Sequence, residues 1–390
     1  MESLPSDLLE TTREDLAAWL AARGIAPYRA AQILRWIHRR RVTDFEAMTD
    51  LSRELRALLA GHWRIAPPGI RERLASADGT EKFLFVLEDG EAVEGVLLPE
   101  RGHLTLCVSS QAGCAQGCRF CLTGRGGFRR NLRAAEIVGQ VLSVRRAISQ
   151  PERLTNLVFM GMGEPLANLE NLLRALAVLT DADLGLGFAV RRITVSTAGL
   201  VPQMLEFGRR SRVSLAVSLN AADDETRSRL MPVNRTWPLA ELLAACRRYP
   251  LPPGRRLTFE YILIRGVNDS PADARRLCRL LAPLRCKVNL IPFNPHPGSG
   301  FARPAEEAML AFQEVLLAAR FTAIIRRSKG EDILAACGQL RGRRPPGREA
   351  GSQRSQTRES SGGSGVAQIS SRPEGKVTTT AASRKRGARV

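Results

Sequence analysis

The sequence has no apolar stretch of about 18 residues or more, the length that a membrane-spanning helix needs. Its first residues, Met-Glu-Ser-Leu-Pro-Ser-Asp, also lack the basic and apolar parts of a secretory signal peptide. The 390 residues are 44% hydrophobic, which is enough for a substantial core and for more than one domain. We therefore expect a soluble, globular protein of the cytoplasm with no membrane partner.

Acidic residues are few compared with basic ones. The 39 Asp and Glu residues stand against 58 Lys and Arg residues, which gives a formal charge of +19. Residues 341–390 carry twelve Lys or Arg and three Glu, so +19 minus +9 still leaves +10 on the rest of the chain. Such an excess favours a polyanionic partner, because neutralising phosphate groups releases their condensed counterions. Nucleic acid is the leading candidate for this partner.

Large aliphatic and aromatic residues almost disappear after Leu340, where Gly, Ser, Arg and Pro dominate. A segment with so few apolar groups cannot offset the entropy lost on folding. We expect residues 341–390 to form a disordered basic tail. The tail either adds non-specific affinity for RNA or is a dispensable extension.

Three of the eight cysteines, Cys114, Cys118 and Cys121, form a CxxxCxxC pattern with no fourth ligand close by. No Cys or His follows within a few residues, and Cys107 on the other side lies in an apolar run that predicts a strand. Structural zinc needs four ligands. Three thiolates instead suit three irons of a [4Fe-4S] cluster whose fourth iron binds S-adenosylmethionine, from which one electron releases a 5′-deoxyadenosyl radical. The pattern favours radical chemistry over a zinc site.

The remaining cysteines fit a reducing compartment better than a disulfide framework, so any disulfide should be transient. Cys246, Cys278 and Cys286 fall in helical or strand patterns. We expect these three side chains to pack in the core.

Apolar residues recur at helical spacing over residues 13–23, 28–39 and 52–59. Basic residues crowd residues 35–41. A small helical domain with such a patch suits RNA binding, although a merely solvated face is equally consistent with the pattern. We assign residues 1–65 to a helical accessory RNA-binding domain.

Residues 66–102 predict a β-rich connector, with strands over 83–87 and 91–98 and turns at Asp78-Gly79 and Asp89-Gly90. This connector joins the helical domain to the rest of the chain.

Strand and helix patterns alternate over residues 103–340. The predicted strands cover residues 104–109, 156–160, 192–196, 214–218, 258–264, 287–291 and 322–326. A full barrel of eight such units takes roughly 250 residues. The shorter length predicts an α/β fold with a partial (β/α)6 barrel, open at one side, whose functional groups lie at the carboxyl ends of the strands.

Several predicted strands are followed by glycines or small polar residues. Glycines in residues 161–165 (Gly-Met-Gly-Glu-Pro) allow backbone to approach a ligand, and Glu164 can accept a hydrogen bond from an ammonium group. Helix capping explains any one polar strand end, but three on one barrel favour a polar ligand such as S-adenosylmethionine. The expected cofactor-binding residues are Gly163, Glu164, Ser196, Ser218, Leu219, Asn220 and Asn294.

Residues 108–114 (Val-Ser-Ser-Gln-Ala-Gly-Cys), 159–165 and 335–340 (Ala-Ala-Cys-Gly-Gln-Leu), together with these strand ends, resemble a known family. It is the radical S-adenosylmethionine family that methylates C2 of adenosine in 23S ribosomal RNA and in transfer RNA. The similarity runs from the N-terminal helices to about residue 341.

The resemblance implies a [4Fe-4S] cluster and two molecules of S-adenosylmethionine per turnover. It implies action at the peptidyl transferase centre of 23S ribosomal RNA and in the anticodon loop of transfer RNA, an electron donor such as flavodoxin or ferredoxin, and a monomer. In the family's scheme, Cys337 is methylated first, and the deoxyadenosyl radical then removes hydrogen from its S-methyl group. The resulting carbon adds to C2 and links protein to RNA.

The resemblance also assigns two residues that complete this scheme. Cys107 matches the thiol that attacks the sulfur of Cys337, forms a transient disulfide and frees the RNA. Glu94 matches the acceptor of the C2 proton. By themselves, the residues predict only a buried strand cysteine and a surface glutamate.

Two alternatives remain at this point. A close relative that methylates adenine C8 in ribosomal RNA shares Cys107, the cysteine triplet and Cys337, so cysteines do not separate the two activities. The N-terminal half and the motifs favour C2. An alternative of another class is a non-catalytic RNA-binding protein with a structural zinc or iron-sulfur site.

Overall fold

The computed structural model describes residues 6–342. The predicted disordered tail therefore lies outside the described residues, apart from its first two. No helix in the described part is both long and apolar enough to cross a membrane. Its helices are α1 (Arg13–Ala21), α2 (Arg29–His38), α3 (Arg53–His62), α4 (Leu122–Arg125), α5 (Ala134–Ala147), α6 (Leu169–Thr180), α7 (Val201–Arg210), α8 (Asp224–Leu230), α9 (Leu239–Arg248), α10 (Pro271–Leu281) and α11 (Glu306–Ala318).

Most of the strands form one mixed sheet with the order β14-β13-β12-β11-β10-β9-β6-β5-β4-β3, whereas β1 pairs with β2 and β7 with β8. The strands are β1 (Ser6–Asp7), β2 (Trp63–Arg64), β3 (Gly69–Ala75), β4 (Glu81–Val86), β5 (Ala92–Glu100), β6 (His103–Cys107), β7 (Gln111–Gly113), β8 (Phe128–Asn131), β9 (Leu154–Phe159), β10 (Ile193–Thr197), β11 (Ser214–Ser218), β12 (Leu257–Leu263), β13 (Cys286–Pro292) and β14 (Ala323–Ile325).

The three N-terminal helices form close to where their apolar spacing predicts them. Thr12 and Ser52 cap α1 and α3, since their hydroxyl groups accept hydrogen bonds from the amides of Asp15 and Leu55. These helices share one continuous hydrophobic core with the barrel. At their contact with the barrel, the carboxylate of Glu10 accepts a hydrogen bond from an amide in the first turn of α5.

The parallel part of the sheet confirms the predicted partial barrel. Its strands are β6 and β9 to β14, and helices connect most of them. Central strands such as β11 and β12 are buried along most of their length, as expected for strands covered on both faces. The strand order is linear, so the barrel stays open, and the short β14 adds a seventh parallel strand.

The β-rich connector extends the barrel sheet. Strand β5 pairs antiparallel with β6, which places Val96 opposite Cys107, and β6 pairs in parallel with β9. Cys107 therefore lies where the antiparallel and parallel parts of the sheet meet. Strand β3 was not predicted, because it is an edge strand with mostly exposed residues and its charged side chains hide the alternation.

Candidate active site

The three cysteines of the CxxxCxxC pattern lie on the loop between β7 and α4. The amide of Cys114 donates to the carbonyl of Gly127 at 2.9 Å, and the amide of Cys121 donates to the carbonyl of Cys118 at 3.1 Å. Gly113 has φ +76°, and an added Cβ would lie 2.0 Å from the Gly127 carbonyl oxygen. Only glycine fits there, so the hairpin of β7 and β8 fixes the start of the cysteine loop.

The thiols of the cysteine loop are suited to an iron-sulfur cluster. Burial raises the pKa of Cys114 to about 12 and that of Cys118 well above its usual value, and the neighbouring thiols of the loop raise both further. Thiolates in such surroundings need adjacent positive charge, which bound metal supplies. Within residues 6–342, no three Cys, His, Asp or Glu side chains gather tightly around a point suited to a single ion. The cysteine ligands of a four-iron cluster each bind a different iron, and the three thiols of this loop supply ligands for three of the four irons.

The Gly-Met-Gly-Glu-Pro loop after β9 packs tightly on the end of β6. An added Cβ at Gly161 would lie 2.7 Å from the Ser109 hydroxyl, and one at Gly163 would lie 2.5 Å from the Cβ of Gln111. Gly163 also has φ +101°. Close packing against Ser109 and Gln111 therefore requires both glycines, whether or not a ligand binds to this loop.

Glu164 joins two strand ends. Its two carboxylate oxygens accept hydrogen bonds from the amides of Leu166 (3.1 Å) and Ala198 (2.7 Å), and its side chain is only 3% exposed. Burial raises its pKa to about 7, although these hydrogen bonds lower it. The carboxylate thus fixes the loop after β9 to the end of β10, beside Cys114 and Cys118.

The predicted cofactor residues at β10 and β11 adjoin one another. The hydroxyl groups of Ser196 and Ser218 are 3.5 Å apart. Asn220 adopts the left-handed region at φ +60°, and its side-chain oxygen accepts a hydrogen bond from the amide of Ile262. Leu219 is buried, and its amide bonds the carbonyl of Glu260. The structure places all four at the carboxyl ends of the strands, with Leu219 and Asn220 engaged by neighbouring protein.

Asn294, at the end of β13, holds the segment that carries Cys337. Its side-chain amide donates to the carbonyl of Cys337 at 3.1 Å, while its oxygen accepts from Arg303 and Ser328. Within the described part of the chain, its amide oxygen and nitrogen both have protein partners. Its observed contacts therefore position Cys337.

The segment around Cys337 lies directly on the cysteine loop. The amide of Leu122 donates to the carbonyl of Gly338 at 2.7 Å, and the hydroxyl of Thr123 donates to the carbonyl of Leu340 at 2.6 Å. Gly338 has φ +84°, and its added Cβ would lie 3.2 Å from the Phe120 carbonyl oxygen. Cys337 is thereby held next to the proposed cluster ligands.

The thiols of Cys337 and Cys107 have different surroundings. Cys337 is exposed, yet desolvation by the surrounding protein raises its pKa to about 11. Cys107 is buried, burial raises its pKa, and the nearby Cys337 raises it further. Both thiols are free, and they lie close enough to influence each other electrostatically.

Glu94 lies in β5 and is buried at 7% exposure, which corrects the surface position that its residue type alone predicts. Its carboxylate accepts a hydrogen bond from the amide of Arg341 at 2.7 Å and lies 3.5 Å from the ammonium group of Lys82. Glu94 lines a cavity of about 590 Å³. Leu122 and Gln339, which neighbour Cys121 and Cys337 respectively, line the same cavity.

Sequence reasoning missed two residues of this site. Lys82 could have been found from the strand pattern. Leu84 lies opposite Glu94 in the β4–β5 pair, and Lys82, two residues before Leu84, points to the same face of the sheet as Glu94. Arg227 had no such pattern, because arginine is normally exposed. Its fully buried guanidinium donates to the carbonyls of Ala198 (2.8 Å) and Leu219 (3.1 Å), which ties the ends of β10 and β11 together below the cysteine loop.

The expected core cysteines agree with their predicted environment. Cys246 and Cys286 are buried in the main core, and Cys278 is half-buried against it.

Two family models match the chain. Residues 6–65 match the ribosomal RNA large subunit methyltransferase N-terminal domain, and residues 108–278 match the radical SAM superfamily. A solved structure of a radical SAM methyltransferase from Sphaerobacter thermophilus is 48% identical, with a TM-score of 0.83, and covers 87% of this chain and 100% of that one.

Relatives of known name extend this similarity over nearly the whole described chain. A dual-specificity RNA methyltransferase RlmN from Desulfosudis oleivorans is 52% identical over 87% of this chain and 91% of its own length. The protein of the same name from Syntrophobacter fumaroxidans is 53% identical over 86% of this chain and 98% of its own length. These matches confirm the predicted resemblance. The chain belongs to the RlmN family of radical S-adenosylmethionine RNA methyltransferases.

Proposed function

We propose that this enzyme methylates C2 of adenosine in 23S ribosomal RNA and in transfer RNA, with Cys337 as the carrier of the methyl group. The observation that carries the proposal is the direct seating of the Cys337 segment on the cysteine loop, through the Leu122–Gly338 hydrogen bond of 2.7 Å. The relatives named above are called dual-specificity RNA methyltransferases, which supports action on two kinds of RNA. The match of residues 6–65 to a ribosomal RNA large subunit methyltransferase domain supports ribosomal RNA as one of them.

Family membership gives the enzyme a [4Fe-4S] cluster and S-adenosylmethionine as cofactors. When bound, they supply methyl groups and a 5′-deoxyadenosyl radical. We assign the cluster to Cys114, Cys118 and Cys121. We assign S-adenosylmethionine to the carboxyl ends of β9, β10, β11 and β13, with residues Gly163, Glu164, Ser196, Ser218, Leu219, Asn220 and Asn294.

The target atom explains why a residue carries the methyl group. Adenine C2 lies between two electron-withdrawing ring nitrogens, so it is a poor nucleophile towards a sulfonium methyl group. Cys337 is exposed but walled by protein, and its thiol is therefore placed to receive a methyl group and present it to a base. After the S-methyl group has lost one hydrogen atom to the 5′-deoxyadenosyl radical, its carbon bonds to C2 and joins the RNA to the sulfur of Cys337 through a methylene group. The adduct then gives up one electron, which the bound cluster would accept, and the C2 proton.

Glu94 is suited to accept the C2 proton from that adduct. The backbone amide of Arg341 and the ammonium group of Lys82 hold its carboxylate beside the cavity. A carboxylate fixed in this way is oriented before the substrate arrives, as efficient general-base catalysis requires.

Cys107 is the thiol assigned to release the product. Burial raises its pKa and keeps it protonated, so it is inert until its proton is removed. Its thiolate then attacks the sulfur of Cys337 and forms a Cys107–Cys337 disulfide. The bond between that sulfur and the methylene carbon breaks with its electron pair on carbon, and the carbon takes up a proton to become the methyl group of the released RNA. Two electrons from the donor proposed below, with two protons, then restore both thiols.

The cellular location, the oligomeric state, the electron donor and the role of each domain complete this proposal. We place the enzyme in the cytoplasm as a monomer, reduced by a donor such as flavodoxin or ferredoxin. We assign residues 1–65 to RNA binding, residues 66–102 to the connector and residues 103–340 to the catalytic barrel. The match of residues 6–65 to a ribosomal RNA methyltransferase domain supports the first assignment.

Anaerobic reconstitution tests the proposed activity. The full chain, with iron, sulfide, S-adenosylmethionine and a reductant, is incubated separately with protein-free 23S ribosomal RNA and with transfer RNA. Mass spectrometry of the nucleosides should detect 2-methyladenosine and 5′-deoxyadenosine. Detection of 8-methyladenosine would contradict the C2 assignment. RNA binding with neither nucleoside product would contradict catalysis by this chain.

A further inference from the structure

A cavity of about 550 Å³ lies at the end of the barrel opposite the proposed active site. It is lined by the start of β9, the residue before β10, the ends of α2 and α5, and the loop around Phe188. The six residues of β9 separate this end from the Gly-Met-Gly-Glu-Pro loop, a distance of roughly 20 Å. A ligand in this cavity is therefore separate from one bound at the cysteine loop.

Four arginines line the cavity against a single carboxylate. They are Arg39, Arg41, Arg145 and Arg192, and the only acidic lining residue is Glu152. Among the contacts of residues 6–342, the hydrogen bonds of these guanidinium groups go to backbone carbonyls and to uncharged side chains. Such neutral acceptors hold the arginines in place without balancing their charge. The lining therefore carries a net excess of three positive charges.

The geometry keeps these like charges together. Arg145 donates to the carbonyls of Leu186 (3.0 Å) and Leu154 (3.4 Å) and lies over the ring of Phe188 at 4.4 Å. Desolvation, followed by repulsion from Arg39 and Arg41, lowers the pKa of Arg145 to about 10. The protein thus tolerates unfavourable proximity of cations at this place.

Arg41 adds an independent sign of constraint. It adopts φ +60°, a left-handed conformation that is costly for a residue with a side chain, and its guanidinium donates to the backbone of Arg145 at 3.3 Å. Strained residues concentrate at functional sites. Here the strained backbone directs one more arginine to the same cavity.

We propose that this cavity binds phosphate groups. Guanidinium groups match phosphate oxygens with paired hydrogen bonds, and several of them around one cavity suit a ligand that carries more than one negative charge. The phosphates come either from the backbone of the RNA substrate or from a small free polyphosphate. The site does not depend on the methylation chemistry proposed above, because it lies at the other end of the barrel.

Two pairs of arginines give a matched test. R41Q/R192Q removes two charges from the cavity lining, whereas R146Q/R191Q removes two charges from exposed neighbours outside it. Inorganic triphosphate is titrated into each full-length protein by calorimetry, and circular dichroism checks that each variant is folded. We expect the wild type and R146Q/R191Q to bind with similar affinity. R41Q/R192Q should bind about tenfold more weakly or worse, since charge-assisted hydrogen bonds are lost.

A second arm distinguishes the two sources of phosphate. The affinity for transfer RNA is measured over a series of salt concentrations. A weaker affinity and a smaller salt dependence in R41Q/R192Q than in R146Q/R191Q identify the RNA backbone as the source. Triphosphate binding that is weakened in R41Q/R192Q but not in R146Q/R191Q, together with equal RNA affinity in the two variants, identifies a free polyphosphate. The proposal is overturned if the wild type binds no triphosphate and the two variants bind RNA equally, or if the two variants bind triphosphate with equal affinity.

Discussion

At the scale of single residues, the account depends on the contrast between two thiols. Cys337 is exposed and lies beside the cysteine loop, whereas Cys107 is buried in β6 and has a raised pKa. This contrast fits the proposed roles, in which Cys337 is a carrier that must reach RNA and Cys107 acts only after the adduct has formed.

Replacing Cys107 should stop the reaction at the covalent adduct. In C107A, Cys337 still joins to the RNA, but no thiol is present to displace it, so a species containing both protein and RNA accumulates. A denaturing gel with labelled RNA detects this species. The matched control is C278A, which removes a half-buried thiol outside the site and should turn over normally. Normal release of methylated RNA by C107A would refute the role of Cys107.

Replacing Glu94 should abolish turnover without unfolding the protein. E94Q keeps an oxygen for the Arg341 amide but loses the base, and general bases typically contribute on the order of 100-fold or more to a rate. The initial rate of methyl transfer to RNA measures the effect, with the melting temperature as a check. E91Q, at a half-buried glutamate in the turn of the same hairpin, is the control. A rate for E94Q within a few-fold of that for E91Q would exclude Glu94 as the base.

At the scale of elements, the segment that carries Cys337 is fastened to the turn between β3 and β4 and to α4. The carboxylate of Asp332 accepts from Ser76 at 2.6 Å, and that of Asp78 accepts from the amide of Gly330 at 2.9 Å. Thr123 bonds the other end of the segment at Leu340. The connector and α4 together therefore set the position of Cys337.

Loss of the Thr123 hydroxyl should loosen this segment. T123V leaves the buried carbonyl of Leu340 without its partner, which costs about 1–3 kcal/mol. Hydrogen exchange should become faster in residues 335–341, and the rate of methyl transfer should fall. T180V is the control, because the Thr180 hydroxyl bonds only the Leu176 carbonyl within α6. Equal exchange rates in the two variants would show that Thr123 does not hold the segment.

Helix α2 makes stability depend on pH through His38. Burial lowers the pKa of His38 to about 4 from 6.5, and its Nδ1 has no hydrogen-bond partner among residues 6–342. Between pH 6.5 and 4 the unfolded chain binds a proton that the folded chain does not, so the free energy of unfolding falls as the pH falls. The difference between the unfolded and folded pKa values of His38 corresponds to a loss of roughly 3 kcal/mol in the free energy of unfolding.

Melting curves between pH 4 and 7 test this dependence. H38Q should lose less stability over this range than the wild type, because it removes the buried imidazole. H62Q, which replaces an exposed histidine at the end of α3, should behave as the wild type does. A pH profile of H38Q that parallels the wild type would contradict the assignment.

At the scale of the whole molecule, the sequence predicts the barrel well, because its parallel strands are nearly continuous apolar runs separated by amphipathic helices. The short strands β7 and β8 were not predicted, since three or four residues carry too little periodicity. The continuity of the connector with the barrel depends on long-range pairing between β5 and β6, and no local pattern encodes it.

In the active site, too, the features that the sequence predicts are local motifs, and the features that it misses depend on contacts between distant segments. The cysteine spacing and the motif around Cys337 are local, so the sequence indicates both. The burial of Glu94 and the role of Arg227 depend on chain segments that are distant in sequence. Two arginines of the predicted basic patch contact the protein itself. Arg35 pairs with Asp183 at 3.5 Å, and Arg39 donates a hydrogen bond to the carbonyl of Ala182.

The path of the methyl group through Cys337 can be followed with an isotope label. Full-length enzyme is incubated anaerobically with S-adenosylmethionine labelled in its methyl group, first without RNA and then with it, and the peptide that contains Cys337 is analysed by mass spectrometry at each stage. The account predicts a labelled methyl group on Cys337 before RNA is added and its passage into adenosine afterwards. Label that reaches RNA in C337A, or that never resides on Cys337 in the wild type, would contradict it.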